Sequence, residues 1–156
     1  MAQGEFHRPL GPDEACRLLT QYDGEAHILA GGTDLMAKIN RKLISPKRLI
    51  YIGDCGLDYI REDGRDLVIG GATCFSEIMR SSLVQEKAPL LAAVVKGIGS
   101  PAIRNMATIG GNLSHASPAA DSAVALLALG ARLKLISEKG QRLVPSEEFF
   151  TGPGET

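Results

Sequence analysis

The sequence has no tryptophan, few other aromatic residues and little cysteine. Of its 156 residues, 4% are aromatic and three are cysteines, namely Cys16, Cys55 and Cys74. These cysteines are far apart and form no C-x-x-C pair, so they indicate neither a disulfide framework nor a zinc or iron–sulfur site in this chain. The cysteine pattern therefore favours a reduced, cytoplasmic protein.

An excess of one charge and a long apolar run are also missing. Lys and Arg number 17 against 18 Asp and Glu, which gives a net charge of -1. Nucleic-acid binding needs a clear cationic excess, and a membrane span needs about 20 apolar residues, so neither is expected. The first six residues lack the cationic start and apolar core of a signal peptide, which again favours the cytoplasm.

The first third of the chain predicts a small βα lobe. Pro12 and the acidic residues after it favour a helix that ends at Asp23. Apolar strands at 27–30 and 49–52 flank a helix at 35–42. A boundary near Gly53 separates residues 1–53 from the rest of the chain. We expect these residues to form a subdomain rather than an independent domain, because about 50 residues seldom form a stable core alone.

The remaining residues, 54–156, predict a larger and mainly antiparallel lobe. Turn residues between short apolar runs indicate two hairpins, at 59–69 and 133–144. The other expected elements are a short strand at 107–109 and helices at 77–81, 89–95 and 117–129, the last with Ser117 as its N-cap. Strands and helices do not alternate regularly, so the predicted fold class is α+β.

The 18 glycines include two similar glycine pairs, each placed after apolar, strand-like residues. The first motif is residues 29–35, Leu29, Ala30, Gly31, Gly32, Thr33, Asp34 and Leu35. The second is residues 108–114, Thr108, Ile109, Gly110, Gly111, Asn112, Leu113 and Ser114. Adjacent glycines with positive φ angles can aim successive N–H groups into one concavity, and two such nests facing each other could bracket a pyrophosphate.

A glycine pair after a strand is also compatible with a plain turn. Neither motif matches G-x-G-x-x-G, and G-x-x-x-x-G-K-[ST] does not occur, so the usual Rossmann and P-loop modes are not supported. On these residues alone, both a structural turn and an anion site stay open.

The two motifs, with residues 116–121 after the second, resemble the FAD-binding medium subunit of molybdenum hydroxylases, the xanthine dehydrogenase and carbon monoxide dehydrogenase family. The resemblance spans the chain, since residues 49–54, 69–73, 103–105 and 145–154 are similar to further family segments. It implies the two-lobed, α+β FAD-binding fold of that family.

The resemblance also implies a set of FAD contacts. The first motif would bind the pyrophosphate through backbone groups, and the second would bracket it from the other side through Thr108, Gly110, Gly111 and Asn112. Gly99 would be a further flavin contact, and Asp121 would hydrogen-bond the cofactor. We expect noncovalent FAD, because no His or Cys is suitably placed to attach it, and we expect no catalytic or metal-binding side chain.

The implied role is electron transfer inside a complex. A large subunit would carry the molybdenum cofactor (molybdopterin), a small subunit would carry two [2Fe–2S] clusters, and FAD in this chain would pass electrons to an external acceptor. The family's medium subunit continues beyond position 156, so we expect either a truncated or split form of that subunit or another polypeptide that completes the flavin site. Two alternatives are a self-contained flavin oxidase of the same superfamily and a non-catalytic nucleotide- or phosphate-binding module.

Other chemically active residues carry weaker expectations. His115 shows no carboxylate partner in the sequence, so a structural or solvent role is favoured over catalysis. Asp34 and Asp121 are read as cofactor or capping residues rather than an acid–base pair. Cys55 and Cys74 are expected in the core. A basic cluster is expected to be solvated, with a docking surface as the alternative; its members are Lys38, Arg41, Lys42, Lys47 and Arg48.

Overall fold

The N-terminal part of the protein is built on a small parallel sheet. In a computed structural model that describes residues 4–156, the strands are β1 (Glu5–His7), β2 (Ala26–Leu29) and β3 (Arg48–Tyr51). Their order is β1-β3-β2, and both pairings are parallel. Leu29 and Tyr51 are register partners, so the first glycine motif leaves β2 at the carboxyl edge of the sheet, where parallel sheets bind ligands.

Two helices connect these strands, as the sequence predicts. Helix α1 (Pro12–Tyr22) has proline in its first turn followed by two acidic residues, and Asp23 closes it in the left-handed conformation. Helix α2 (Leu35–Asn40) follows the first motif. β1 was not expected from the sequence; its three residues pair with β3 and complete the sheet.

The rest of the chain combines two antiparallel hairpins with short helices. The hairpins pair β4 (Ile60–Asp63) with β5 (Asp66–Ile69), and β6 (Arg132–Ser137) with β7 (Gly140–Pro145). The helices are α3 (Phe75–Arg80), α4 (Ser82–Lys87), α5 (Pro89–Gly97), α6 (Pro101–Arg104), α7 (Ile109–His115), α8 (Asp121–Ala128) and α9 (Ser146–Phe149). This mixture confirms the α+β class and both predicted hairpins. Among residues 4–156, no helix combines the length and apolar character that a membrane crossing requires.

Two sequence predictions are wrong at the second motif. Residues 107–109 are not a strand, because Thr108 is the N-cap of α7 and the glycine pair lies inside that helix. The helix expected from Ser117 begins at Asp121 instead. Ser117 forms a turn, in which its carbonyl accepts the Ala120 N–H at 3.0 Å and its hydroxyl accepts the Ala119 N–H at 3.3 Å.

Buried apolar side chains form two clusters. The larger one lies among α3–α8, with Phe75, Ile78 and Val95 fully buried at its centre. The smaller one packs Ala15 of α1 against β3 and includes Cys55, which confirms that this cysteine is a core residue. The subdomain boundary at residue 53 stays a prediction.

Candidate cofactor site

Both glycine motifs reach one open groove of about 450 Å³. The first motif lines it with residues 29–32, and the second lines it with Thr108. Asn105 and Met106, which lead into the second motif, lie in the same wall. The tertiary structure thus brings together two segments that are far apart in the chain.

The missing side chain of Gly31 allows this approach. A Cβ atom at Gly31 would lie 1.8 Å from the carbonyl oxygen of Met106, far inside van der Waals contact. A Cβ atom at Gly111 would lie 3.8 Å from the Cβ of Ala30, so the second glycine of the second motif also faces the first motif. Gly31 therefore holds the two walls of the groove in direct backbone contact.

The first motif presents open hydrogen-bond donors. Within residues 4–156, the backbone N–H groups of residues 31–34 have no protein acceptor. Gly32 has a φ of 70°, which only glycine adopts readily, and it turns the chain between β2 and α2. Such a run of free N–H groups suits an anionic oxygen, so the geometry agrees with the nest predicted here.

The second motif is not a nest, contrary to the sequence prediction. Neither Gly110 nor Gly111 has a positive φ. The Gly110 N–H donates to the carbonyl of Gly71 at 2.9 Å, and the Gly111 N–H donates to Thr108 Oγ1 at 3.1 Å. A Cβ atom at Gly110 would lie 2.6 Å from the Gly71 oxygen, so this glycine serves close backbone packing.

Eight predicted site residues lie outside the lining of this groove, namely Thr33, Asp34, Leu35, Gly99, Gly110, Gly111, Asn112 and Asp121. Asn112 Oδ1 accepts a hydrogen bond from Ser122 Oγ at 2.6 Å and so ties α7 to α8. Asp121 is exposed at the first position of α8. Gly99 has a φ of 52° in the turn before α6. Their roles as cofactor contacts stay predictions.

The groove also contains residues that the sequence prediction did not select. Tyr51 lines it, and its position at the carboxyl end of the central parallel strand is a signal that could have identified it. Asp58, Cys74 and Glu77 form part of the lining too, and no sequence pattern points to them.

Cys74 is not a core residue, contrary to the prediction. It is half-buried, it is the N-cap of α3, and its N–H donates to Glu77 Oε2 at 3.1 Å. Partial burial raises the pKa of the Cys74 thiol, and the charges of Glu77 and Asp58 raise that pKa further. The thiol is therefore kept in its neutral form, which fits a lining residue rather than a nucleophile.

His115 has a carboxylate partner, which the sequence did not reveal. Its Nδ1 atom lies 3.3 Å from Oδ2 of Asp34, and Nζ of Lys38 lies 2.8 Å from the same oxygen. Lys47 and Arg48 of the basic cluster also pair with acidic groups, since both contact Glu25. Arg41 and Lys42 are exposed, as expected for the whole cluster.

Comparisons with known proteins identify the family of a chain with this glycine turn and groove. Residues 2–156 match the family described as the FAD binding domain in molybdopterin dehydrogenase. The chain belongs to this family. The resemblance inferred from the sequence is therefore confirmed.

Relatives include the carbon monoxide dehydrogenase medium chain of Hydrogenophaga pseudoflava, which is 38% identical over 95% of this chain and 52% of its own length. The xanthine dehydrogenase FAD-binding subunit of Escherichia coli O157:H7 is 36% identical over 96% of this chain and 52% of its own length. The chain thus spans about half the length of these relatives.

Solved structures show the same fold. Carbon monoxide dehydrogenase from Hydrogenophaga pseudoflava gives a TM-score of 0.96 at 37% identity, covering 98% of this chain and 54% of that one. Quinoline 2-oxidoreductase from Pseudomonas putida 86 gives 0.94 at 27% identity, with the same coverage of 98% and 54%. These matches confirm the predicted fold class, the α+β FAD-binding fold of this family.

The residues present fit the FAD that the family description names. The diphosphate of FAD needs several hydrogen-bond donors at close range, and the first motif has free N–H groups where a glycine pair leaves the backbone uncovered. Asp58 and Glu77 make another part of the groove lining acidic. The anionic part of FAD is therefore expected at the glycine turn, away from those carboxylates.

Replacing Thr108 with alanine should destabilise the protein by about 1 kcal/mol, because it removes the hydroxyl that caps α7. It should also weaken FAD binding, since α7 packs beside the groove. Ser81→Ala is the matched control: Ser81 caps α4 by accepting the Val84 N–H at 3.3 Å. Urea unfolding should show a similar loss for both variants, whereas FAD titration should separate them. Equal FAD affinity in the two would contradict a role for α7 in the site.

Proposed function

We propose that this chain binds FAD and acts as the FAD-binding electron-transfer subunit of a molybdopterin-dependent hydroxylase or dehydrogenase. The observation that carries the proposal is the run of free N–H groups at residues 31–34, placed in a groove of a chain that belongs to the FAD-binding family. The relatives named above are subunits of dehydrogenases, which supports an oxidoreductase role.

The residues of this chain would bind and orient the cofactor. The N–H groups of residues 31–34 would donate to the diphosphate oxygens. Thr108 and the first turn of α7 would form the facing wall, and Gly99, Asn112 and Asp121 would make the further contacts implied by the family resemblance. When bound, FAD supplies the redox chemistry, taking electrons from [2Fe–2S] clusters and passing them to an external acceptor.

The expected partners are a large subunit with the molybdenum cofactor and a small [2Fe–2S] subunit. A cytoplasmic location is part of this proposal. Purification from the native source tests it, since iron and molybdenum should co-purify with the flavin in fixed ratios. Flavin without either metal would favour a self-contained flavin oxidase, and absence of flavin would favour a nucleotide- or phosphate-binding module.

Bound FAD should leave the chain on denaturation, because the groove offers backbone donors and no attachment residue is expected. Cys74 lines the groove, but the raised pKa of its thiol disfavours the thiolate. Acid precipitation of the flavin-loaded protein should leave all flavin absorbance in the supernatant. Flavin that stays with the precipitated chain would contradict noncovalent binding, and a Cys74→Ala variant would show whether this thiol holds it.

A further inference from the structure

Asp34 belongs to the turn whose N–H groups form the proposed diphosphate site. Asp34 is the last residue of the open run of N–H groups and the residue that precedes α2. Its side chain is 44% exposed, so it is neither buried in the core nor free of neighbours. A carboxylate at this position would repel a bound diphosphate unless its charge is compensated.

Two basic side chains from different parts of the chain meet this carboxylate. Lys38 approaches from the next turn of α2 at 2.8 Å, and His115 approaches from the last position of α7 at 3.3 Å. Both contacts are made to the same oxygen, Oδ2. His115 therefore links the helix of the second motif to the turn of the first.

We propose that His115 is a positioning residue for the cofactor, which acts by partnering the Asp34 carboxylate. This inference rests on the proposed FAD function and adds a residue to it. Lys38 pairs with Asp34 across the first turn of α2, whereas His115 joins the carboxylate to α7, the helix of the second motif. Once its charge is compensated, the Asp34 carboxylate no longer repels a diphosphate that binds to the N–H groups of residues 31–34.

The experiment is FAD titration of the purified full chain, followed by flavin fluorescence. His115→Ala should weaken FAD binding about fivefold at low ionic strength, the size expected for one partly exposed polar side-chain pair. The effect should shrink in about 0.5 M salt, because salt screens exposed charges. A purely structural role would not show this salt dependence.

The decisive comparison is made by introducing His115→Ala into a protein that already carries Asp34→Asn. If His115 acts through the Asp34 charge, His115→Ala should have no effect there. An equal fivefold loss in both backgrounds would overturn the proposal, because it would mean that His115 acts on the cofactor without Asp34. Thermal unfolding of the cofactor-free variants should match the wild type within about 2 °C.

A surface ion pair away from the groove gives the control. Arg132 Nη2 lies 2.8 Å from Asp66 Oδ2, and Arg132→Ala should leave FAD affinity unchanged. If the wild-type chain binds FAD and His115→Ala binds it equally well, only this inference fails. If the wild-type chain binds no FAD, the proposed function fails and the inference fails with it.

Discussion

Replacing Gly31 with alanine should lower the unfolding free energy by about 3 kcal/mol. The added Cβ would lie 1.8 Å from the carbonyl oxygen of Met106 and 2.6 Å from its carbonyl carbon. These are backbone atoms, which cannot rotate away as a flexible side chain would, so the two walls of the groove must separate. Chemical denaturation with FAD absent measures the loss directly.

Gly97→Ala is the matched control for this substitution. Gly97 is the last residue of α5, and a Cβ there would meet no heavy atom within 4 Å. Its unfolding free energy should stay within about 0.5 kcal/mol of the wild type. If Gly31→Ala proved equally mild, the close packing of the first motif on Met106 would be wrong.

Replacing Gly32 with valine should weaken FAD binding at least about 100-fold, or about 2.7 kcal/mol. The φ of 70° at Gly32 is strongly unfavourable for a β-branched residue, so the turn must change its conformation. The new Cβ would also lie 3.1 Å from side-chain atoms of both Leu29 and Met36. Because the open N–H groups belong to this turn, their alignment is lost. FAD titration measures the effect.

Gly64→Val separates backbone strain from damage to the site. Gly64 lies between β4 and β5 with a φ of 62°, and a Cβ there would meet nothing within 4 Å. Both valine variants should lose about 1–2 kcal/mol of stability, since both force a side chain into the left-handed region. Only Gly32→Val should lose FAD affinity; an equal loss in Gly64→Val would point to global destabilisation instead.

The sequence alone determined features that depend on neighbouring residues. Proline and acidic residues at the start of α1 specify a helix through local capping, and Asp63 with Gly64 specifies a hairpin turn. The glycine pair after β2 likewise indicated an open turn, because positive φ at Gly32 is a local property of glycine. The family resemblance rested on the same local motifs.

Only the tertiary structure decided what the second glycine pair does. Its sequence resembles the first, yet Gly110 donates its N–H to Gly71, a residue that no local pattern connects with it. The contact between His115 and Asp34 was likewise invisible, because a contact between side chains of distant segments leaves no periodic pattern in the sequence. Local glycine chemistry allowed two nests, and long-range packing left the N–H groups open in only one of the two motifs.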